Sequence, residues 1–287
     1  MNDANHRKGI LFIVIAALLW STGGIGIKAI SDSALKVSFY RSLFAAIALS
    51  IAFGGRVWRR QWTSTPAITV AVLSYGACLT AFVVATKWTT AANAIFLQYA
   101  GVIWVMLVSP LALKEPLRGR DAAAIAVAFG GMALFFAGRL ESRGLAGNAM
   151  AVLSSFFFAA LIMALRREQG AREAALTWGN IVLCIVLLPF VWRDLALTPR
   201  SFLVLAFLGL FQIALAYLFF VRGLRYVTAT EASLTGMIEP VANPIWVLLF
   251  LGERPSVWAI AGGLIVLAAV AWRTIVGGVA SEMPAVD

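Results

Sequence analysis

Two charged residues, Arg41 and Glu239, interrupt an otherwise uncharged set of ten long apolar blocks. Glu239 lies near the middle of its block, where an ionised carboxylate is costly unless paired or hydrated, so it must face a bundle interior or a watery cavity. Pro240 and Pro244 follow it; each removes a backbone donor and leaves carbonyls in need of partners. At helical spacing Thr235, Glu239 and Asn243 share one face. Two readings of Glu239 stand side by side. It contacts an ammonium group or takes up a proton, or it is a structural carboxyl, neutral or bonded to donors freed at a kink. Arg41 lies in the first turns of its block, where a long side chain can snorkel outward, the alternative being a guanidinium that lines a pathway.

Trp20, Tyr75 and Tyr99 sit near the middle of their blocks rather than at the ends, where an aromatic belt would place them. A tyrosine at that depth needs a partner for its hydroxyl. Stacking faces with polar tips suit an amphipathic or aromatic small molecule; packing within a bundle is the competing account. Gln98 and Gln212 are also mid-block, and a primary amide both donates and accepts, as a carboxylate and an ammonium on one ligand require. Glue between helices is again the rival. Trp178, near the start of its block, joins the candidate ligand-binding set, although an interfacial anchor accounts for it equally.

Other chemistry is missing. The single histidine, His6, precedes the first block, so there is no intramembrane metal motif and no His/Asp catalytic arrangement. Cys78 and Cys184 lie inside apolar blocks and are too few for a disulfide framework. No phosphate-binding loop occurs. Neither a cofactor, a metal nor a catalytic residue is expected. Glu115 and Glu253 occupy matching junctions beside Pro116 and Arg254-Pro255, where they read as caps for neighbouring helix starts.

These residues must be held by membrane-spanning helices. Of the 287 residues, 62% are hydrophobic and 13% charged, against about a quarter charged in soluble domains. The blocks run from Gly9 to Ile27, Val37 to Phe53, Ala67 to Thr86, Ala91 to Leu113, Ala122 to Gly138, Gly147 to Leu165, Ala174 to Val191, Phe202 to Val221, Ala232 to Leu251 and Val257 to Trp272. Each is long enough, or nearly so, to cross a hydrocarbon core of roughly 30 Å. Continuous runs of this length favour helices over a barrel, whose strands alternate over about 10 residues. The first block exceeds a signal-peptide core and is expected to be a retained helix. The net charge of +10 comes from residues scattered over short connections, with no basic stripe for nucleic acid. With both ends on one side, that side holds fourteen of the 23 Lys and Arg, which places both termini in the cytoplasm and the chain in the cytoplasmic membrane. The line Ala122, Ala126, Gly130 permits close helix approach, either within one chain or between two copies as a homodimer.

Displacing the chain by 138 residues aligns Phe82 to Glu115 with Phe220 to Glu253 without a gap. Identities include Phe82/Phe220, Val83/Val221, Thr90/Thr228, Ala91/Ala229, Ala94/Ala232 and Glu115/Glu253. The expected organisation is a five-helix repeat over 1–138, a second over 144–276, and a short cytoplasmic tail at 277–287. Five is odd, so the second repeat enters the membrane from the opposite face. The fold class is an all-α integral membrane protein of ten transmembrane helices in two inverted five-helix repeats, an arrangement that exposes a midplane site to each side in turn.

Several motifs together resemble the drug/metabolite transporter superfamily, in particular its EamA-type ten-helix members. They are Leu19-Trp20-Ser21-Thr22 followed by Lys28, Arg41 in the second helix, Lys114-Glu115-Pro116 and Gly252-Glu253-Arg254-Pro255, and Glu239-Pro240-Val241. The resemblance spans the whole chain and implies a non-enzymatic exporter of small metabolites. Leu19 to Thr22 and Ser74-Tyr75 with Cys78 are similar to the bacterial aromatic amino acid exporters of the family. Gln98-Tyr99-Ala100-Gly101 departs from their fourth helix, which carries Asn-Tyr followed by Trp-Pro. The implied partners are the lipid bilayer and a small-molecule substrate, an amino acid or related metabolite, with drugs or sugars as alternatives. A membrane enzyme or lipid-handling protein would need a nucleophile or metal set that the chain lacks. Cysteines introduced as Lys28→Cys and Arg60→Cys are expected to react with an impermeant thiol reagent from opposite faces; reaction from one face contradicts the second span.

Overall fold

The computed structural model describes residues 3–53, 65–137, 144–168, 170–251 and 256–282; the Glu253 junction with Arg254 and Pro255, the basic segment 56–60, the end of the tail and the side chain of Asn243 lie outside the described residues. Every regular element described is helical. In chain order these are α1 (Asp3–Trp20), α2 (Gly23–Lys28), α3 (Ala34–Phe53), α4 (Pro66–Trp88), α5 (Ala91–Gln98), α6 (Gly101–Leu113), α7 (Gly119–Phe135), α8 (Leu145–Arg167), α9 (Arg172–Val191), α10 (Pro199–Phe207), a π-helical segment (Leu208–Leu215), α11 (Ala216–Gly223), α12 (Ala229–Gly236), α13 (Ile238–Leu251) and α14 (Val257–Glu282). Eight continuous stretches are long and apolar enough to cross a membrane. Between them lie α7, at 17 residues, and the pair α12 and α13.

Helix starts follow side-chain chemistry. Thr65 and Thr198 accept from the backbone N–H three residues on, each ahead of a proline in the first turn, where a missing donor costs nothing. Thr90 caps α5 through Asn93 N–H, and Thr228 caps α12 through Glu231 N–H, so the aligned threonines of the two halves start equivalent helices. Both helices then stop early, α5 at the cap Tyr99 and α12 at the cap Met237, positions separated by the same 138 residues. The restart at Ile238 places Pro240 in the first turn of α13 instead of inside a helix. The first span breaks at Ser21 and Thr22, whose hydroxyls bond back to Leu18 O at 2.6 Å and Leu19 O at 2.8 Å.

The principal helix pairs survive an exchange of the two halves. α4 packs along α8 as α11 and the π segment pack along α1; α5 and α6 lie on α8 as α12 and α13 lie on α1; α9 covers α4 as the π segment covers α3. The pairs α3 with α9 and α7 with α14 map onto themselves. Contact between α7 and α14 is backbone to backbone, because a Cβ on Gly262 would lie 2.3 Å from Phe135 N and 2.4 Å from Gly131 O. The small residues buried there are Ala124, Ala128 and Gly131, while Ala126 and Gly130 are exposed. The expected line is thus displaced around the helix, and its exposed members face away from the bundle.

Buried ion networks gather at the two ends. Arg273 pairs with Asp121 and, at 3.0 Å, with Glu231, which also takes His6 Nε2 at 3.2 Å. Lys36 joins Asp32 at 3.1 Å and Asp194 at 2.9 Å, and Ser201 donates to Asp32 at 2.5 Å. Burial pushes the Asp32 carboxyl up, but the bonds from Ser201 and Lys36, with the Lys36 charge, more than reverse this and hold it below its ordinary value. Glu115 accepts from Arg166 Nε at 2.8 Å and from Ala229 N–H at 2.9 Å, so it caps the broken helix α12 of the other half. Gly262→Leu is expected to force α7 from α14, costing about 1–3 kcal/mol or more; a melting temperature equal to wild type in detergent contradicts this packing.

Candidate functional site

Both halves converge on a cavity lined largely by buried residues. Trp20 at the end of α1, Arg41 of α3, Cys78, Leu79 and Phe82 of α4, Gln98 and Tyr99 at the α5 break line it from one half; Phe158 of α8, Gln212 of the π segment, Tyr217 of α11 and Glu239 of α13 line it from the other. Its volume is about 30 Å³, room for roughly one or two water molecules. A larger ligand therefore requires the two sets of helices to separate.

The two helix breaks bring the carboxyl to its partner. Tyr99 Oη lies 2.8 Å from Glu239 Oε2 and 2.6 Å from Gly236 O, joining the ends of α5 and α12. A phenol has one proton and donates to one acceptor at a time. Both contacts are hydrogen bonds together only when Glu239 carries a proton of its own and donates to Tyr99.

Arg41 does not snorkel; it is 2% exposed and points into the cavity, where Nη2 donates to Gln212 Oε1 at 2.6 Å. Glycines create this geometry. A Cβ on Gly209 would lie 2.6 Å from Arg41 O and 2.5 Å from Phe44 Cβ, so only glycine lets the π segment press against α3 there; Gly23 likewise clears room for the Gln212 amide. The π turn adds a residue to the helix circumference, a device common at functional sites, and Gln212 belongs to it.

The apolar wall is aromatic. Trp20 packs edge-on to Phe158 and Tyr217, with ring centroids 6.0 and 5.0 Å away. Tyr75 backs Tyr217 at 4.9 Å and its hydroxyl accepts from Asn180 Nδ2 at 3.0 Å. Gln98 Nε2 donates to Ser154 Oγ at 2.9 Å, and Ser154 donates to Cys78 O at 3.1 Å.

A model of the EamA-like transporter family matches the chain twice, at residues 7–137 and 145–275. The chain belongs to the EamA-like transporter family. A Bacillus subtilis protein named uncharacterized transporter YwfM is 27% identical over 86% of this chain and 88% of its own. The pseudopaline exporter CntI of Pseudomonas aeruginosa is 25% identical over 92% of this chain and 94% of its own. A crystal structure of a protein at 17% identity superposes with a TM-score of 0.77 over 96% of this chain and 99% of that one, a likeness of fold. This EamA-like protein is accordingly a multi-pass membrane transporter and not an enzyme.

Of the eight residues expected at the site, Trp20, Gln98, Tyr99, Gln212 and Glu239 line the cavity of this EamA-like transporter. Tyr75 stands one ring behind it, Thr235 is buried within α12, and Trp178 is half-buried against the core; these three are not among the lining residues. Arg41, Cys78, Leu79, Phe82, Phe158 and Tyr217 complete the lining. Arg41 carried a signal in the sequence as one of two charges within the blocks, whereas the phenylalanines and Leu79 resemble every other apolar residue around them. Tyr99→Phe is expected to leave Gly236 O without its donor and Glu239 without its hydroxyl partner and to cost about 1–3 kcal/mol, read as a lower melting temperature in detergent; an unchanged value contradicts the Tyr99 bridge.

Proposed function

We propose that this chain is a secondary carrier of the cytoplasmic membrane that exports small amphipathic metabolites, chiefly amino acids including aromatic ones, by alternating access. The carrying observation is the cavity at which both halves meet, with a carboxyl and its tyrosine partner on one wall and aromatic rings on another. Such a wall stacks an aromatic side chain, and Glu239 offers an ammonium its counter-charge. The relative named a pseudopaline exporter supports outward movement of a small metabolite.

The carrier is built of ten spans in two inverted repeats, 1–138 and 144–276, with both termini cytoplasmic. Three observations support this reading. The helix breaks recur at the repeat offset, and the helix pairs persist when the halves are exchanged. The equivalent helix starts also lie at opposite ends of the first span: Thr89 O accepts from Lys28 at 3.0 Å, whereas Glu231 meets His6. Fourteen of the 23 basic residues fall on the terminal side. Rocking of one set of helices against the other then opens the cavity first to one side and then to the other.

Purified protein in liposomes is expected to exchange labelled amino acids. Tyr217→Leu should weaken aromatic members about two- to tenfold more than aliphatic ones, and Glu239→Gln should slow exchange and flatten its pH dependence. Absence of exchange for every amino acid sinks the cargo, and a Glu239→Gln protein with wild-type rate and pH profile removes the proton role.

A further inference from the structure

A guanidinium is charged at any pH a protein meets, and a buried charge is costly unless paired and hydrogen-bonded. The other deeply buried cations of this chain obey that rule. Arg273 is matched by Asp121 and Glu231, and Lys36 by Asp32 and Asp194. Arg172, 2% exposed, donates to Leu165 O at 2.6 Å and Arg166 O at 3.3 Å, carbonyls at the C-terminal end of α8 that carry partial negative charge.

Arg41 is the exception, and it is the one that faces the cavity. Among the described residues its one hydrogen bond goes to the neutral amide of Gln212, and Nε and Nη1 are buried and have no partner there. Glu239 lines the same cavity, but no ion pair joins it to Arg41 among the described residues. A second donor on the cavity wall is also unpartnered, Nε1 of Trp20, in a residue 4% exposed. Two residues that line the same cavity from different helices therefore each carry buried N–H groups that no hydrogen bond uses among the described residues.

We infer that Arg41 and Trp20 form a receptor for a monoanionic carboxylate, so that the transported molecule carries one. This deepens the carrier reading above and rests on it for the word transported. The planar guanidinium offers donors in a fork that matches a carboxylate. A phosphate monoester carries about −1.5 to −2 charge, more than one guanidinium neutralises. The receptor and the Glu239 wall together accept a zwitterion, the carboxylate toward Arg41 and Trp20 and the ammonium toward Glu239.

The receptor role has a consequence for the empty protein that a structural role lacks. An unneutralised buried guanidinium destabilises the fold, so replacing it by an apolar residue of similar length should stabilise the ligand-free state while removing anion binding. Thermal unfolding in detergent at constant ionic strength reads both. Sodium benzoate is expected to raise the melting temperature of the wild type saturably, and its neutral isostere benzamide is not. Arg41→Met should weaken the benzoate response by roughly 30-fold or more and, without benzoate, melt at or above the wild-type temperature. Trp20→Phe keeps the ring and loses one donor, and should weaken benzoate by about fivefold; it serves if Arg41→Met yields no folded protein. A wild type indifferent to benzoate, or a benzoate response unchanged in Arg41→Met or Trp20→Phe, overturns the receptor. Liposome exchange of labelled tryptophan and tryptamine separates the two levels. Exchange of tryptamine without tryptophan overturns the receptor and leaves a carrier; exchange of neither, with the benzoate response intact, leaves the receptor and removes the amino acid cargo.

Discussion

Inside hydrocarbon no water is at hand to satisfy a polar group, so each backbone amide, hydroxyl and charge must find its partner within the protein. In this chain that constraint sorts the polar residues. Threonines appear at helix starts, where they take up free amides, and Glu115 reaches across to do the same for α12. Serine and threonine hydroxyls at the break after α1 bond back to their own turn. Two ionic networks are buried at the ends, His6, Asp121, Glu231 and Arg273 at one and Asp32, Lys36 and Asp194 at the other. Unlike Arg273 and Lys36, which meet carboxylates, Arg41 on the central cavity has no ion pair among the described residues, and Trp20 Nε1 beside it has no hydrogen-bond partner there.

The broken helices link fold and function. A continuous helix presents its backbone groups to itself, and cannot offer a carbonyl to a side chain without losing a bond. The stop at Met237 frees Gly236 O to meet the Tyr99 hydroxyl, and the restart places Glu239 in the first turn of α13, beside the same hydroxyl. The stop at Tyr99 puts Gln98 and Tyr99 at a helix end. The carboxyl wall of the cavity thus exists because two helices end near one another, at positions that the repeat makes equivalent. Glycine does the corresponding work on the Arg41 side, where Gly209 allows a close approach to the α3 backbone that a side chain would block, and Gly23 leaves the Gln212 amide its place.

Helical class, membrane residence and family were legible in the sequence because they depend on composition and on local runs. Twenty apolar residues span a bilayer whatever they pack against, and Thr90 and Thr228 start their helices through bonds to residues three positions away. Glu239 was conspicuous for the same reason, since a carboxylate in an apolar run needs an interior partner wherever the run goes. The 138-residue repeat is likewise a property of the chain alone.

Only the tertiary structure decided which partner each of these residues has. Arg41, early in its apolar block, could have snorkelled outward by sequence alone, and it turns inward where the π segment, seated on α3 at Gly209, brings Gln212 within 2.6 Å of it. Tyr75 and Tyr99 look alike in sequence, yet Tyr99 lines the cavity and Tyr75 buttresses Tyr217 from behind. Ala126 and Gly130 have the spacing of a packing face, but the buried face falls on Ala124, Ala128 and Gly131 because Gly262 approaches from that side. Rotation of a helix about its axis is set by contacts between residues distant in sequence, and hydropathy carries little of that information when both lipid and bundle interior are apolar. The apolar run determined that a helix would cross the membrane; the neighbours it met there determined which of its faces became the site.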